Sequence, residues 1–267
     1  MMEALGFEFM RNAIMAGLLA SLACGIIGSL VVAKRIVFIS GGIAHAAYGG
    51  IGIAFFFGLP YMVGTLGFSL VVAIVMTFLT LDNKHRADTV IGVLWAAGMA
   101  LGVVLIDLTP GYNVDLMSYL FGSILAVTPD DLYMMSLMCL IIIFMVVFFY
   151  NDFLAMSYDP DFARLRRIPV RLLYAILLVM IAVSIVMVIK VVGLILVIAL
   201  MTIPPYMAEK KSVSLGQMMV ISSILSAVFT LGGLWISYAF DITSGAAIIL
   251  FASAAFAVFF IKEKGKV

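Results

Sequence analysis

The feature that most limits the fold of this chain is an apolar run that recurs nine times. Each run approaches the roughly 20 residues that a helix needs to cross a bilayer. The runs are Phe9–Val32, Ile36–Gly58, Tyr61–Leu81, Thr89–Asp107, Leu132–Tyr150, Leu172–Ile189, Val191–Met207, Val213–Phe240 and Thr243–Ile261. In 267 residues they leave little sequence for a water-facing domain, and only 11% of the chain is charged. Backbone in lipid must satisfy its own hydrogen bonds, and for runs of this length the helix does so. The expected fold is all-α: a polytopic membrane helix bundle of about nine spans, forming a single transmembrane domain over residues 1–267. Leu116–Val127 is apolar but too short to cross, and is expected to form a helix or re-entrant turn on one side. The first run has no basic leader and continues to Val32, which suits a retained span rather than a cleaved signal.

Basic residues set the orientation of such a bundle. Alternating connections place thirteen Lys and Arg on one side, and only Arg11 and Lys190 on the other. The acids split seven and seven, so the asymmetry belongs to the basic residues alone. The amino terminus is therefore expected outside. The carboxyl terminus and the polar segment 151–171 are expected in the cytoplasm. A net charge of +1 indicates neither nucleic acid nor an acidic surface as a partner. Cys24 and Cys139 lie inside apolar runs and read as small core residues. The nineteen methionines are scattered without a neighbouring Cys or His, which suits core filling better than soft-metal binding. A phosphate-binding Gly-x-x-x-x-Gly-Lys-Ser/Thr loop, a His-Glu-x-x-His pair and a nucleophile with its base are all missing from the sequence. The chain is thus expected to be neither an ATPase nor a hydrolase, and to bind no cofactor of its own.

One histidine lies well inside an apolar run. His45 sits in Phe38-Ile-Ser-Gly-Gly-Ile-Ala-His-Ala-Ala-Tyr-Gly-Gly-Ile-Gly52. Gly41, His45, Gly49 and Gly52 share one helical face. Small residues there let another backbone come close. An imidazole in such a seam can ligate a divalent ion in passing, or simply bond a backbone carbonyl. Asp107 ends the fourth run and is a weaker ion candidate. It joins Glu3, Glu8, Asp115, Asp130, Asp131 and Asp241 in making the outer side acidic, which would attract cations. Solvated loop residues or helix caps are the plainer reading of most of these acids; Asp130, after Thr128-Pro129, has the place of a cap. Asp88 is expected to cap the fourth span, and His85 to be a solvated loop residue. Pro204 and Pro205 remove two amide donors near the end of the seventh run. Either the helix bends there, with Thr202 serving freed carbonyls, or it ends before Lys210-Lys211.

The polar segment contains Tyr158-Asp-Pro-Asp-Phe-Ala-Arg-Leu-Arg-Arg167. Asp159 or Asp161 can cap a short helix that stops before Pro169. Phe162 and Leu165 would form an apolar edge flanked by Arg164, Arg166 and Arg167. Such a helix suits insertion into a groove on another protein, with contact to lipid headgroups as the alternative.

Taken in order, several blocks resemble the permease subunits of the zinc/manganese/iron-uptake ABC importers. They are Ser40–Gly50, Arg86-Ala-Asp-Thr-Val-Ile-Gly92, Tyr119-Leu-Phe-Gly-Ser-Ile-Leu125, Tyr158-Asp-Pro-Asp-Phe-Ala163, and Val192–Ala199 through Thr202-Ile-Pro204. The resemblance implies a type II importer-like fold and a homodimer enclosing one metal pathway. It implies a cytoplasmic ATP-binding subunit docked on a coupling helix formed by Tyr158, Asp159, Pro160, Asp161, Phe162, Ala163 and Arg164. It also implies an extracellular metal-binding protein, with zinc as the first expected ion, then manganese and iron. A stand-alone secondary carrier or channel for divalent cations is the alternative, and a non-transport subunit a remoter one. Two positions depart from the family pattern. Gly41 stands where many members have an acid, which shifts ion binding toward His45 from both copies. Arg167 stands where a glycine often precedes Ile-Pro, so the coupling helix is expected to end differently.

Overall fold

The computed structural model describes residues 7–81, 87–110, 122 and 124–264, without the side chains of residues 125, 190 and 191. Its helices are α1 Glu8–Ala33, α2 Val37–Phe56, α3 Tyr61–Leu81, α4 Ala87–Asp107, α5 Pro129–Phe148, α6 Tyr150–Tyr158, α7 Pro160–Leu165, α8 Val170–Glu209, α9 Leu215–Phe240 and α10 Ser244–Lys264. One 3-10 turn, Ile124–Ala126, precedes α5. Among the described residues nine stretches of helix are long and apolar enough to cross a membrane, two of them within α8. The chain is a multi-pass membrane protein with the all-helical fold its apolar runs require.

A straight helix of α8's 40 residues would measure about 60 Å, twice the hydrocarbon thickness. The chain resolves this at Gly193, whose φ of 79° and ψ of 167° break the helix. The two parts, Val170–Ile189 and Val192–Glu209, are each of spanning length. Helix continues through Pro204 and Pro205 to Glu209, so the bend belongs to the glycine and not to the prolines. Thr202 does not serve the carbonyls that the prolines free, those of Leu200 and Met201. Its hydroxyl donates to Ile198 O at 2.8 Å, with a longer contact to Ala199 O at 3.3 Å.

Contacts divide the chain into two compact units, one drawn from Met1–Arg35, Met117–Met145 and Met187–Val267, the other from Ile36–Leu116 and Val146–Val186. In the first unit α1 packs along α9 through small and hydroxylated residues. A Cβ on Gly25 would lie 2.5 Å from Ser223 Cα, so the two backbones touch there. Ser21 donates to Gly17 O at 2.7 Å and meets Thr230 Oγ1 at 3.1 Å. Gly28 lies against the Met201 carbonyl, one of the two that lack a helical amide partner. In a membrane, where apolar area gives no net drive between helices, close approach of this kind holds them together. Several hydroxyls in the spans, such as Ser29, Thr77 and Ser184, donate to the carbonyl four residues earlier. That bond satisfies them without a partner from outside the helix.

In the second unit α2 packs against both α3 and α4. Its contacts with α4 pair Gly42 with Ile91, Gly49 with Gly98 and Gly52 with Gly102, so these two helices run parallel. At Gly49 and Gly52 the nearest atoms of α4 are backbone; at Gly42 they are the Ile91 side chain. Close backbone contact therefore runs from Gly52 back to Ala46, whose Cα lies 2.7 Å from where a Cβ on Gly98 would stand. Tyr174 of α8 meets Thr80 of α3 through their hydroxyls at 3.0 Å.

Candidate functional site

His45 lies on the α4-facing side of α2, just before the stretch where the two helices touch. The space between them is filled by a ring pair: the imidazole stacks on the Trp95 indole with centroids 3.9 Å apart and planes 12° from parallel. Phe38 flanks the indole at 6.1 Å, and the indole N–H donates to Met99 Sδ at 3.2 Å. His45 Nδ1 is buried and has no hydrogen-bond partner among the described residues. An orphaned buried polar atom of this sort costs about 1–3 kcal/mol, and a cation or polar ligand reaching it would recover that. The backbone-carbonyl bond that offered the plainer explanation of this histidine is not made at Nδ1.

The four positions of the expected face divide by environment. Gly49 and Gly52 lie against the backbone of α4 and serve packing. Gly41, one turn before His45, has no atom from beyond its own turn of helix within 4 Å of where its Cβ would stand. Room therefore exists at the position where an acid would have offered a second ligand. Asp107 is exposed at the far end of α4. Twelve residues of helix separate it from Trp95, about 18 Å, so the structure does not bring it to the imidazole. No group of three or more His, Cys, Asp or Glu among the described residues could hold a metal ion. A lone imidazole suits an ion that passes rather than one that stays. Asp115, Glu3 and His85 lie outside the described residues. At Thr128 the cap is completed by Asp131 and not by Asp130: the Thr128 hydroxyl donates to Asp131 Oδ2 at 2.8 Å, and the Asp131 amide contacts the Thr128 hydroxyl at 3.3 Å. The Thr-x-x-Asp spacing was the signal for it. Asp88 stands in the first turn of α4, beside residues that are not described.

The segment 151–171 forms two short helices in place of an open loop. Phe153 and Met156 of α6 are buried and anchor it. Asp159 then stops α6 and starts α7, its carboxylate accepting from the Phe162 amide at 2.9 Å with Pro160 at the first helical position. Ala163 is buried, whereas Phe162 is 48% and Leu165 84% exposed. The apolar edge read from the sequence is therefore displayed. Arg164 pairs with Asp161 at 3.2 Å, and Arg166 lies over the Phe162 ring at 5.5 Å. The end of α7 departs from expectation. Ile168 N–H bonds Ala163 O at 3.0 Å and Arg167 N–H bonds Arg164 O at 2.9 Å, a Schellman cap. Arg167 takes the left-handed position at φ 59°. The cap thus keeps the form that a glycine favours although an arginine fills it. Relief of about 1 kcal/mol of left-handed strain is expected from Arg167→Gly, partly offset by added freedom in the unfolded chain. Thermal unfolding of the purified protein checks this. Arg167→Gly should hold or raise the midpoint and Arg167→Val should lower it; the reverse order would refute the strain.

The fold and site describe a multi-pass membrane protein with an imidazole in a helix seam and a capped, exposed helix between spans. The chain matches the ABC 3 transport family over residues 6–263 and belongs to it. It is a permease-type subunit, which is not itself an enzyme. It is 50% identical to an uncharacterized membrane protein of Synechocystis sp. over 97% of this chain and 92% of that one. It is 31% identical to the manganese transport system membrane protein MntC of Listeria monocytogenes, covering 96% of this chain and 91% of that one. Among solved structures, PsaBC from Streptococcus pneumoniae in complex with Fab superposes with a TM-score of 0.85 at 29% identity, over 95% of this chain and 91% of that one.

Proposed function

We propose that this chain is the membrane subunit of an ATP-driven importer of divalent metal, with manganese as the first ion to test. Two copies would enclose one pathway lined by His45. A separate ATP-binding subunit would dock on Tyr158–Arg164 from the cytoplasm, and an extracellular metal-binding protein would deliver the ion. In this reading residues 1–267 act as one permease domain, with the amino terminus outside and both the carboxyl terminus and 151–171 inside. The main support is full-length similarity to a protein named for manganese transport. Zinc, the ion expected first from the sequence, is the second ion to test, since an imidazole ligand suits it. The space at Gly41 leaves room for water or other oxygen ligands beside the imidazole of either ion.

The test is uptake into proteoliposomes holding the chain together with its ATPase and binding protein. ATP-dependent manganese accumulation is expected, with the rate falling below a tenth in His45→Ala. Accumulation without ATPase or ATP would overturn the reading in favour of a stand-alone carrier.

A further inference from the structure

A ligating histidine is ordinarily held in place by its other ring nitrogen, which donates to a carboxylate or carbonyl that fixes both tautomer and ring plane. His45 lacks that support on Nδ1, which is buried and unpartnered among the described residues. What touches the ring instead is Trp95. The separation of 3.9 Å and the interplanar angle of 12° describe a face-to-face contact over the imidazole. Trp95 is anchored in turn. Its N–H is engaged by Met99 Sδ one turn further along α4, and Phe38, two turns before His45 on α2, stands beside the indole. The backbone contact of Gly49 and Gly52 with α4 fixes the separation of the helices just beyond the pair. Rotation of the imidazole about its side-chain bonds would break the stack, so the ring plane is set without any polar partner.

We propose that Trp95 is the positioning residue of the His45 site, holding the imidazole by stacking in the role a hydrogen-bonded carboxylate has elsewhere. The proposal rests on the reading that His45 lies on the ion path. It has a consequence for the kind of ligand His45 is. A carboxylate behind a histidine raises the basicity of the ring and tightens metal binding. An indole orients the ring without adding charge, which gives a well-placed but weak donor. A transported ion must be released within each cycle, and weak, oriented coordination serves that need.

Replacement of Trp95 by leucine keeps apolar bulk and removes the aromatic face. In proteoliposomes with the ATPase, Trp95→Leu should raise the half-saturating manganese concentration about tenfold to hundredfold, the range found when a supporting partner of a metal ligand is lost. Trp95→Phe, which restores an aromatic face, should recover to within about threefold of the unmodified value on the same scale. A second readout leaves Trp95 in place. The chain has two tryptophans, so Trp235→Phe leaves Trp95 as its only source of indole emission. Added Co2+ should quench that emission saturably, and His45→Ala should abolish the saturable part. If Trp95→Leu transports with unchanged half-saturation while His45→Ala is inactive, stacking has no positioning role and the proposal falls alone. If His45→Ala transports normally, the ion-path reading itself is lost. Should Trp95→Leu fail to accumulate in the membrane, the Co2+ titration decides: quenching that survives His45→Ala overturns the proposal.

Discussion

Phe162→Asp is expected to release the ATP-binding subunit and abolish ATP-dependent uptake. The ring is nearly half exposed on a helix of six residues, with Leu165 one turn on and still more exposed. An aromatic anchor at the centre of an interface is worth about 2–4 kcal/mol when truncated, and a carboxylate in its place adds desolvation without a partner. A loss of 4 kcal/mol weakens association by roughly a thousandfold. The docking face would not be altered by unfolding of the chain, because α6 stays anchored by Phe153 and Met156, both fully buried. Asp159→Ala supplies a graded comparison. It removes the cap carboxylate from the Phe162 amide, about 1 kcal/mol of helix order, and so weakens docking by roughly fivefold. The measurement is co-purification of the ATPase with each variant, together with ion-stimulated hydrolysis in proteoliposomes. If Phe162→Asp retains the ATPase and transports at the original rate, α7 is not the docking element and the cytoplasmic placement of 151–171 loses its main consequence.

What the sequence discloses about this molecule follows from which constraints are local. A span must be apolar along its whole length because lipid is its solvent, so composition alone marks it. The expected Tyr61–Leu81 coincides with α3, and Phe9–Val32 falls one residue short of α1 at each end. Capping is also local: Asp159 before Pro160 announces α7, and the carboxylate is found on the Phe162 amide. The break in α8 was legible as a boundary, because the expected runs Leu172–Ile189 and Val191–Met207 part at Lys190, three residues before Gly193, but its cause was not. The Pro204-Pro205 pair draws attention because proline removes donors, yet the irregular backbone is at Gly193. The Gly28 contact on the Met201 carbonyl is made by residues distant in sequence, so periodicity gives no warning of how the prolines are accommodated. The same distance hid Trp95. It lies on another helix, fifty residues from His45, and in one apolar run it reads as packing. The parallel pairing of α2 with α4 is what turns it into a neighbour of the imidazole. The glycine face was visible as a periodicity, but one periodicity covered two roles, backbone contact at Gly49 and Gly52 and open space at Gly41.

That division yields the second large effect. Gly52→Leu is expected to eliminate the folded protein, whereas Gly41→Ala should leave it at least as stable as before. A Cβ on Gly52 would lie 2.6 Å from Gly102 O and 2.7 Å from Gly102 Cα. Both are main-chain atoms of a second spanning helix, so no side chain can swing away, and α2 and α4 would have to part by about an ångström. Moving carbon contacts out by that much forfeits a quarter to a half of each. The neighbouring turn reinforces the restraint, because Gly49 lies against Gly98 O in the same way, at 2.9 Å. Overpacking in a well-filled core costs about 1–3 kcal/mol for added methylenes that neighbours can partly accommodate, and a whole leucine against backbone exceeds that. Gly41 has no such neighbour within 4 Å, and alanine in a helix interior gains about 1 kcal/mol over glycine. Membrane-fraction yield and the thermal midpoint of the detergent-purified chain measure both. Gly52→Ala, milder than leucine, links packing to the site, since widening α2 from α4 also draws His45 off Trp95. A Gly52→Ala chain that still folds should therefore show weakened manganese transport, whereas Gly41→Ala should not lose stability. Tolerance of leucine at Gly52 with intolerance of alanine at Gly41 would show that the two helices do not meet where these glycines place them.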